Sequence, residues 1–243
     1  MRFLLYNVRY CAGTGSRFHL PVPYGGYLKR THSTLEKISS FIRGQEPDVV
    51  GLIEVDSGSY RSQRVNQAEQ MARDLGHFHL YQSKYGLSSM ARHLPLLKKQ
   101  GNAFLTDQKI QGEKTHYFKS GVKRLMFELE LKDLTIFLVH LSLKFRHRAY
   151  QLREIYTVLS EIKKPHIVAG DFNVFRGDHE LQLFLAATGL SNANQQNWPT
   201  YPSRAPKRQL DFILCSRGIK VTRFDIPHVS FSDHLPLVCD FEV

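Results

Sequence analysis

The segment Gly170-Asp171-Phe172-Asn173 places a carboxylate and a carboxamide two positions apart, directly after the apolar run Ile167-Val168-Ala169. Alternate residues of a strand share a face, so both polar groups are expected to leave the end of a core strand on the same side. A buried carboxylate is costly unless it is paired or coordinated. The same pattern recurs along the chain. RFLLYN ends on Asn7, DVVGLIE on Glu54 and TIFLVH on His140, while LDFILC carries Asp211 at its start, after Leu210. Asp233 and His234 stand just before the last apolar run, LPLV. One such residue is ordinarily a turn or cap residue. Their recurrence points to strand ends converging on one mouth. Carboxylates, amides and imidazoles without a thiolate suit Mg²⁺ or Mn²⁺ rather than a structural zinc. Asp171 is then the candidate base for a water. His234 is the candidate stabiliser of phosphoryl charge, with Asp211 holding its imidazole in one tautomer.

These groups need strands to carry them. Apolar runs and alternation predict strands over 2–10, 48–54, 78–81, 102–106, 124–131, 135–142, 166–170, 210–215, 220–224 and 237–242. Helical periodicity predicts helices over 28–44, 62–75, 148–162 and 180–188. Residues 123–131 and 134–143, separated by Lys132-Asp133, read as a hairpin. Helices interleave with many strands but without strict alternation, which predicts two packed sheets with helices outside. No linker or repeat divides the chain, so 1–243 is expected to be a single catalytic domain. Two long irregular segments, 11–27 and 191–209, are expected to serve function.

The chain has 243 residues, 42% of them hydrophobic, and a formal charge of +11. The charge favours an anionic partner: nucleic acid, acidic lipid at a membrane surface, or a phosphorylated small molecule. Cys11, Cys215 and Cys239 are widely spaced, which argues against a disulfide framework and for a reducing compartment. MRFLLYNVRY alternates like a strand rather than a leader, and no apolar run reaches membrane-spanning length, so the cytoplasm is the default location.

In order along the chain, YN (6–7), PDVVGLIEVD (47–56), GNAFLT (101–106), VHLSL (139–143), R-x-x-Q (148–151), GDFN (170–173), LDFIL (210–214) and SDHLPL (232–237) resemble the endonuclease/exonuclease/phosphatase superfamily. The resemblance spans nearly the whole chain. It implies an α/β fold, a four-layer αββα sandwich of two mostly antiparallel mixed sheets, and divalent-metal-dependent phosphoester hydrolysis. By resemblance, Glu54 is the main metal carboxylate with Asn7 beside it, and Asp233 a further metal-side carboxylate. Asp171 activates the water and Asn173 orients it. His234, paired with Asp211, contacts phosphate, and His140 is a second transition-state contact. Arg9, Asn102, Arg148, Trp198 and Tyr201 are candidates for substrate contact; Phe18, Tyr24 and Tyr27 join the last two as loop aromatics able to stack on bases.

The resemblance has departures. Apurinic endonucleases carry an acidic residue two positions after the first-strand Asn, where this chain has Arg9, and their mid-chain tyrosine motif has no clear counterpart. Both points lead away from abasic-site repair. The motifs look more like those of bacterial members acting on lipid or small-molecule phosphodiesters, with nucleic acid kept as an equal candidate. A calcineurin-like phosphatase would need GNH where this chain has GNA (101–103), and a zinc hydrolase a denser His cluster than His77-Phe78-His79. A non-catalytic basic module binding nucleic acid or acidic lipid is the alternative from another class.

Overall fold

The strands alternate between two different apolar environments, and this decides the layering. The computed structural model describes residues 1–14, 31–84, 97–121, 125–177 and 179–243. In chain order its elements are β1 (Arg2–Asn7), α1 (His32–Gly44), β2 (Val49–Asp56), α2 (Gln67–Leu75), β3 (Phe78–Ser83), β4 (Gln100–Thr106), β5 (Gly112–Tyr117), β6 (Leu125–Glu130) and β7 (Thr135–His140). There follow α3 (Phe145–Leu159), β8 (His166–Asp171), α4 (His179–Thr188), β9 (Ser191–Asn192), β10 (Asp211–Cys215), β11 (Lys220–Asp225) and β12 (Leu237–Glu242).

The strands form two six-stranded sheets, ordered β11-β12-β1-β2-β4-β3 and β5-β6-β7-β8-β10-β9. The pairs β1–β2 and β7–β8 are parallel. The other pairs are antiparallel. Three buried clusters mark three interfaces between four layers. Phe3, Leu5, Ile53 and Phe104 of the first sheet meet Phe127, Leu138, Ala169 and Ile213 of the second. Leu4, Tyr6 and Leu52 on the outer face of the first sheet pack under Leu35, Ile38 and Met71 of α1 and α2. Phe137, Val168 and Leu214 on the outer face of the second pack under Leu152, Ile155 and Phe184 of α3 and α4. This is the expected αββα sandwich. Each large side chain so buried contributes roughly 1.5–3 kcal/mol, which makes the inter-sheet layer a rigid platform.

Several boundaries differ from the sequence expectation, each for a local reason. The first strand stops at Asn7 because Arg9, Tyr10 and Cys11 turn into left-handed backbone, with φ of 47°, 55° and 56°. Helix α2 starts at Gln67, not 62, because the Asn66 side chain caps it by accepting from Glu69 N–H. Helix α3 is shifted to Phe145–Leu159. The strand β5 (GEKTHY) was not anticipated; it is a half-exposed edge strand whose outward polar residues hide the alternation. The 191–209 segment opens with the short strand β9 and carries an isolated bridge between Tyr201 and Arg208. The hairpin expected at Lys132-Asp133 is present between β6 and β7, closed by Leu131 N–H donating to Leu134 O at 2.9 Å. Residues 28–30 of the expected first helix, Lys123 and Arg124 of the hairpin, and Phe18, Tyr24 and Tyr27 lie outside the described residues. Cys11, Cys215 and Cys239 are buried free thiols. Among the described residues no helix is long and apolar enough to cross a membrane.

Candidate active site

Each inner strand face is apolar along its length and turns polar at one end, and those ends coincide. On β1, Phe3 and Leu5 face the other sheet, so Asn7 does too. On β7, Ile136 and Leu138 face inward and His140 follows them. On β8 the series is Ile167, Ala169, Asp171, and on β10 it is Cys215, Ile213, Asp211. Register then aligns the polar ends: Asp171 pairs with His140 on one side and with Asp211 on the other. Glu54 joins the row through a bulge. Strand β2 slips against β4 between Leu52 and Val55, and Glu54 itself has φ +58°. Ile53 packs in the inter-sheet core and Val55 under the helices, so the extra residue is Glu54.

Gly170 makes this row possible. Its φ is +154°, and a Cβ there would sit 1.9 Å from the Val139 carbonyl oxygen. Only glycine lets β8 approach β7 so closely while the chain turns Asp171 into the mouth. Asn173 follows in left-handed backbone at φ +53°, a conformation asparagine tolerates better than most residues.

Asp171 is the hub. It is 1% exposed, and its Oδ2 accepts from Asn7 Nδ2 of the opposite sheet at 3.1 Å. The same oxygen lies 3.3 Å from His140 Nε2 and 3.9 Å from His234 Nε2, while Oδ1 accepts from Asn173 N–H at 3.0 Å. His140 Nδ1 lies 3.9 Å from Glu54 Oε1, which links the carboxylates of the two sheets through one imidazole. The Asn173 side chain donates to Leu141 O at 2.9 Å.

His234 donates from Nδ1 to Asp211 Oδ2 at 2.8 Å, leaving Nε2 on the Asp171 side. Burial alone lowers its pKa, but the carboxylates of Asp211 and Asp171 outweigh burial and raise it to about 10. Burial pushes Asp211 the other way for an acid, upward, and its bonds to His234 and Thr200 oppose that. Tyr201 lays its ring 4.9 Å from that of His234, and Phe175 packs edge-on against Tyr201 at 6.0 Å.

Asp233 faces Arg9, with Arg9 Nε 3.3 Å from Asp233 Oδ2. Asn102 accepts from Glu54 N–H at 3.4 Å, which fixes its amide orientation and leaves Nδ2 buried without a hydrogen-bond partner. Asn102 shares the inward parity of Phe104, so this donor belongs to the mouth. Asn7, Arg9, Glu54, Asn102, His140, Asp171, Asn173, Tyr201, Asp211, Asp233 and His234 are therefore brought together.

Two expected residues stand apart. Arg148 is buried as a strut: it donates to Glu180 at 3.0 Å and to the carbonyls of Ser142 and Leu143, pinning the segment that leaves β7. Trp198 is 46% exposed on the β9–β10 connection, with its backbone tied to Asn194. Sequence reasoning missed Thr200 and Ser232. Thr200 Oγ1 donates to Asp211 Oδ2 at 2.6 Å, and Ser232 Oγ donates to Asn7 O at 2.7 Å. A lone threonine in a loop carries no signal, whereas Ser232 stands inside the SDH segment.

The donor set fits a hard divalent cation. Four carboxyl side chains, Glu54, Asp171, Asp211 and Asp233, gather there against the one guanidinium of Arg9. Asp211 Oδ1 is buried without a hydrogen-bond partner. Asp171, Asp211 and His234 each present a ligand atom within 4.8 Å of the others.

The model for the Endonuclease/Exonuclease/phosphatase family matches residues 4–234. The chain belongs to this family. No curated protein matches the sequence. Solved structures of endonuclease/exonuclease/phosphatase proteins share the fold at low identity. One from Beutenbergia cavernae DSM 12333 is 19% identical with a TM-score of 0.75, over 100% of this chain and 71% of that one. The human Nocturnin catalytic domain with bound sulfate is 21% identical with a TM-score of 0.68, over 100% and 93%. A mannosyl-6-phosphatase from Bacteroides thetaiotaomicron VPI-5482 is 14% identical with a TM-score of 0.71, over 100% of both chains. This endonuclease/exonuclease/phosphatase chain thus has the fold of proteins whose named activities differ, and its substrate must be argued from its own mouth.

Proposed function

We propose that this protein hydrolyses a phosphoester, most specifically a phosphodiester, with Mg²⁺ or Mn²⁺ as cofactor. The observation that carries this reading is the Asp171 carboxylate, buried where two sheets meet and oriented by Asn7, His140 and the Asn173 main chain. Glu54, with Asn7 beside it, would hold the cation, since a carboxylate and an amide at the mouth offer the hard oxygen donors that Mg²⁺ or Mn²⁺ takes. When bound, the cation neutralises charge on the phosphoryl oxygens. Asp171 accepts the proton of the attacking water and Asn173 fixes its loop. His234 donates from Nε2 to a phosphoryl oxygen as charge builds there, and Asp211 keeps the imidazole in the orientation that allows this. His140 is positioned for a second contact on the same group.

Nucleic acid and a lipid or small-molecule phosphodiester are the two substrate classes. The positive charge serves both. The lipid class draws on the segment leaving His140, where Leu143 and Phe145, 62% and 52% exposed, alternate with the exposed cations Lys144 and Arg146. Such a rim suits contact with an acidic membrane surface.

The test is release from bis(p-nitrophenyl) phosphate with Mg²⁺ or Mn²⁺, with and without EDTA. Hydrolysis that stops with EDTA is expected; equal rates would refute a metal mechanism. Absence of turnover on this ester, plasmid DNA, single-stranded RNA, sphingomyelin and glycerophosphodiesters would favour the binding-module alternative. Steep weakening of substrate binding with added salt would select nucleic acid.

A further inference from the structure

Arg9, Tyr10 and Cys11 hold three successive non-glycine residues in left-handed backbone immediately beside the mouth. Strain of this kind persists only where the surroundings enforce it, and it clusters at functional sites. Here it folds Arg9 back onto the site. Arg9 N–H donates to Asn7 Oδ1 at 3.1 Å, and its side chain, 6% exposed, brings Nε to 3.3 Å from Asp233 Oδ2. Arg9 Nη1 donates to Gly13 O at 2.9 Å, which fixes the guanidinium from its other end. Asp233 is further placed by Ser232, whose Oγ lies 3.3 Å from Asp233 Oδ1 and bonds Asn7 O. The carboxylate expected to extend the metal site is thus already neutralised by a cation of the chain itself.

We infer that Arg9 takes the place of a second divalent cation, so that the site binds one metal ion on the Glu54 side while the guanidinium of Arg9 occupies the other flank and neutralises Asp233 there. This rests on the metal-dependent reading above. A second divalent ion at Asp233 would have to displace a buried guanidinium that a strained turn and the Gly13 carbonyl hold in place, and like charges in a partly buried site repel strongly. Asp233 is on this view a positioning residue for Arg9, and the expectation that it ligates the metal is revised.

Mn²⁺ stoichiometry decides the matter, read by electron paramagnetic resonance of unbound Mn²⁺ during titration, with no substrate present. The wild type is expected to bind one Mn²⁺ per chain. Arg9→Ala, which uncovers Asp233, is expected to gain a second, weaker site that the double variant Arg9→Ala/Asp233→Asn loses. Arg9→Lys should stay at one. Asp233→Asn alone should keep the first site within about threefold in affinity, well short of the tenfold that about 1.4 kcal/mol represents. Two ions bound by the wild type, an unchanged count in a folded Arg9→Ala, or a tenfold loss in Asp233→Asn would each overturn the inference. No Mn²⁺ bound by the wild type would instead refute the metal-dependent reading, and the inference with it.

Discussion

His234 and Asp211 come from different segments, 23 residues apart, yet their side chains meet at 2.8 Å in a buried pair. Their contact favours the protonated form of the imidazole beside Asp171. Replacing Asp211 by Asn removes the principal carboxylate that raises His234, so the His234 pKa should fall well below about 10. NMR titration of the imidazole in metal-free protein checks this; an unchanged value would mean that Asp211 does not set it. The wild-type sign is fixed by linkage. The folded value lies above the ordinary value near 6.5, so the contribution of His234 to stability is full below about pH 6.5 and is lost as pH rises through about 10.

His234→Ala should lower kcat by about 10²–10³, the scale of one preorganised charge-stabilising donor. Steady-state kinetics on bis(p-nitrophenyl) phosphate measures it, with circular dichroism to confirm the fold. Wild-type turnover would remove His234 from the site.

Thr200→Val keeps the shape of the side chain and deletes its hydroxyl. Asp211 Oδ2 would lose its 2.6 Å donor, and the Leu210 and Asp211 N–H groups would lose the acceptor they use at 3.1 and 3.3 Å. A loss of roughly 1–3 kcal/mol is expected from urea unfolding, the penalty for leaving buried polar groups unpaired. A midpoint equal to the wild type would show that Thr200 is not a structural support for Asp211.

Gly170→Ala should be far more damaging than any exposed glycine change, because its Cβ would fall 1.9 Å from the Val139 carbonyl oxygen and the backbone is at φ +154°. Little folded protein, or a melting temperature many degrees lower, is expected. A stable Gly170→Ala protein would mean that β7 and β8 can separate without harm.

At acid pH the sheet edge near the chain ends should weaken. Arg2 pairs with Asp240 at 2.7 Å across β1 and β12, and this bond holds the Asp240 pKa below the usual carboxylate range. The contribution is present above the unfolded value and disappears as pH falls through the lower folded one. The pair is partly exposed, so Asp240→Asn should cost about 1 kcal/mol or less at neutral pH and nothing below the folded pKa. A penalty that persisted undiminished in strong acid would contradict the ion-pair origin.

Much of the site was legible because strand periodicity carries direction as well as position. Once Ile167 and Ala169 are inward, Asp171 must be, and the same count places Asn7, His140 and Asp211. Glu54 was found by residue type, although its place depends on a bulge that alternation cannot foresee. Arg9 and Tyr10, the start of the left-handed turn, were read as strand, since nothing in their sequence opposes extension locally; contacts to Asn7 and Asp233 override propensity there. The pairing of Arg148 with Glu180 was not legible, because a motif match does not reveal a buried partner. Thr200 stayed hidden because its importance is a matter of whom it meets.

The bond from Asn7 to Asp171 crosses between sheets that, among the described residues, share no strand pairing. Small sliding of one layer over the other would silence the chemistry while every ladder stayed intact. Inactivation on gentle heating should therefore precede any change in the far-ultraviolet spectrum, making turnover a finer gauge of layer alignment than secondary structure.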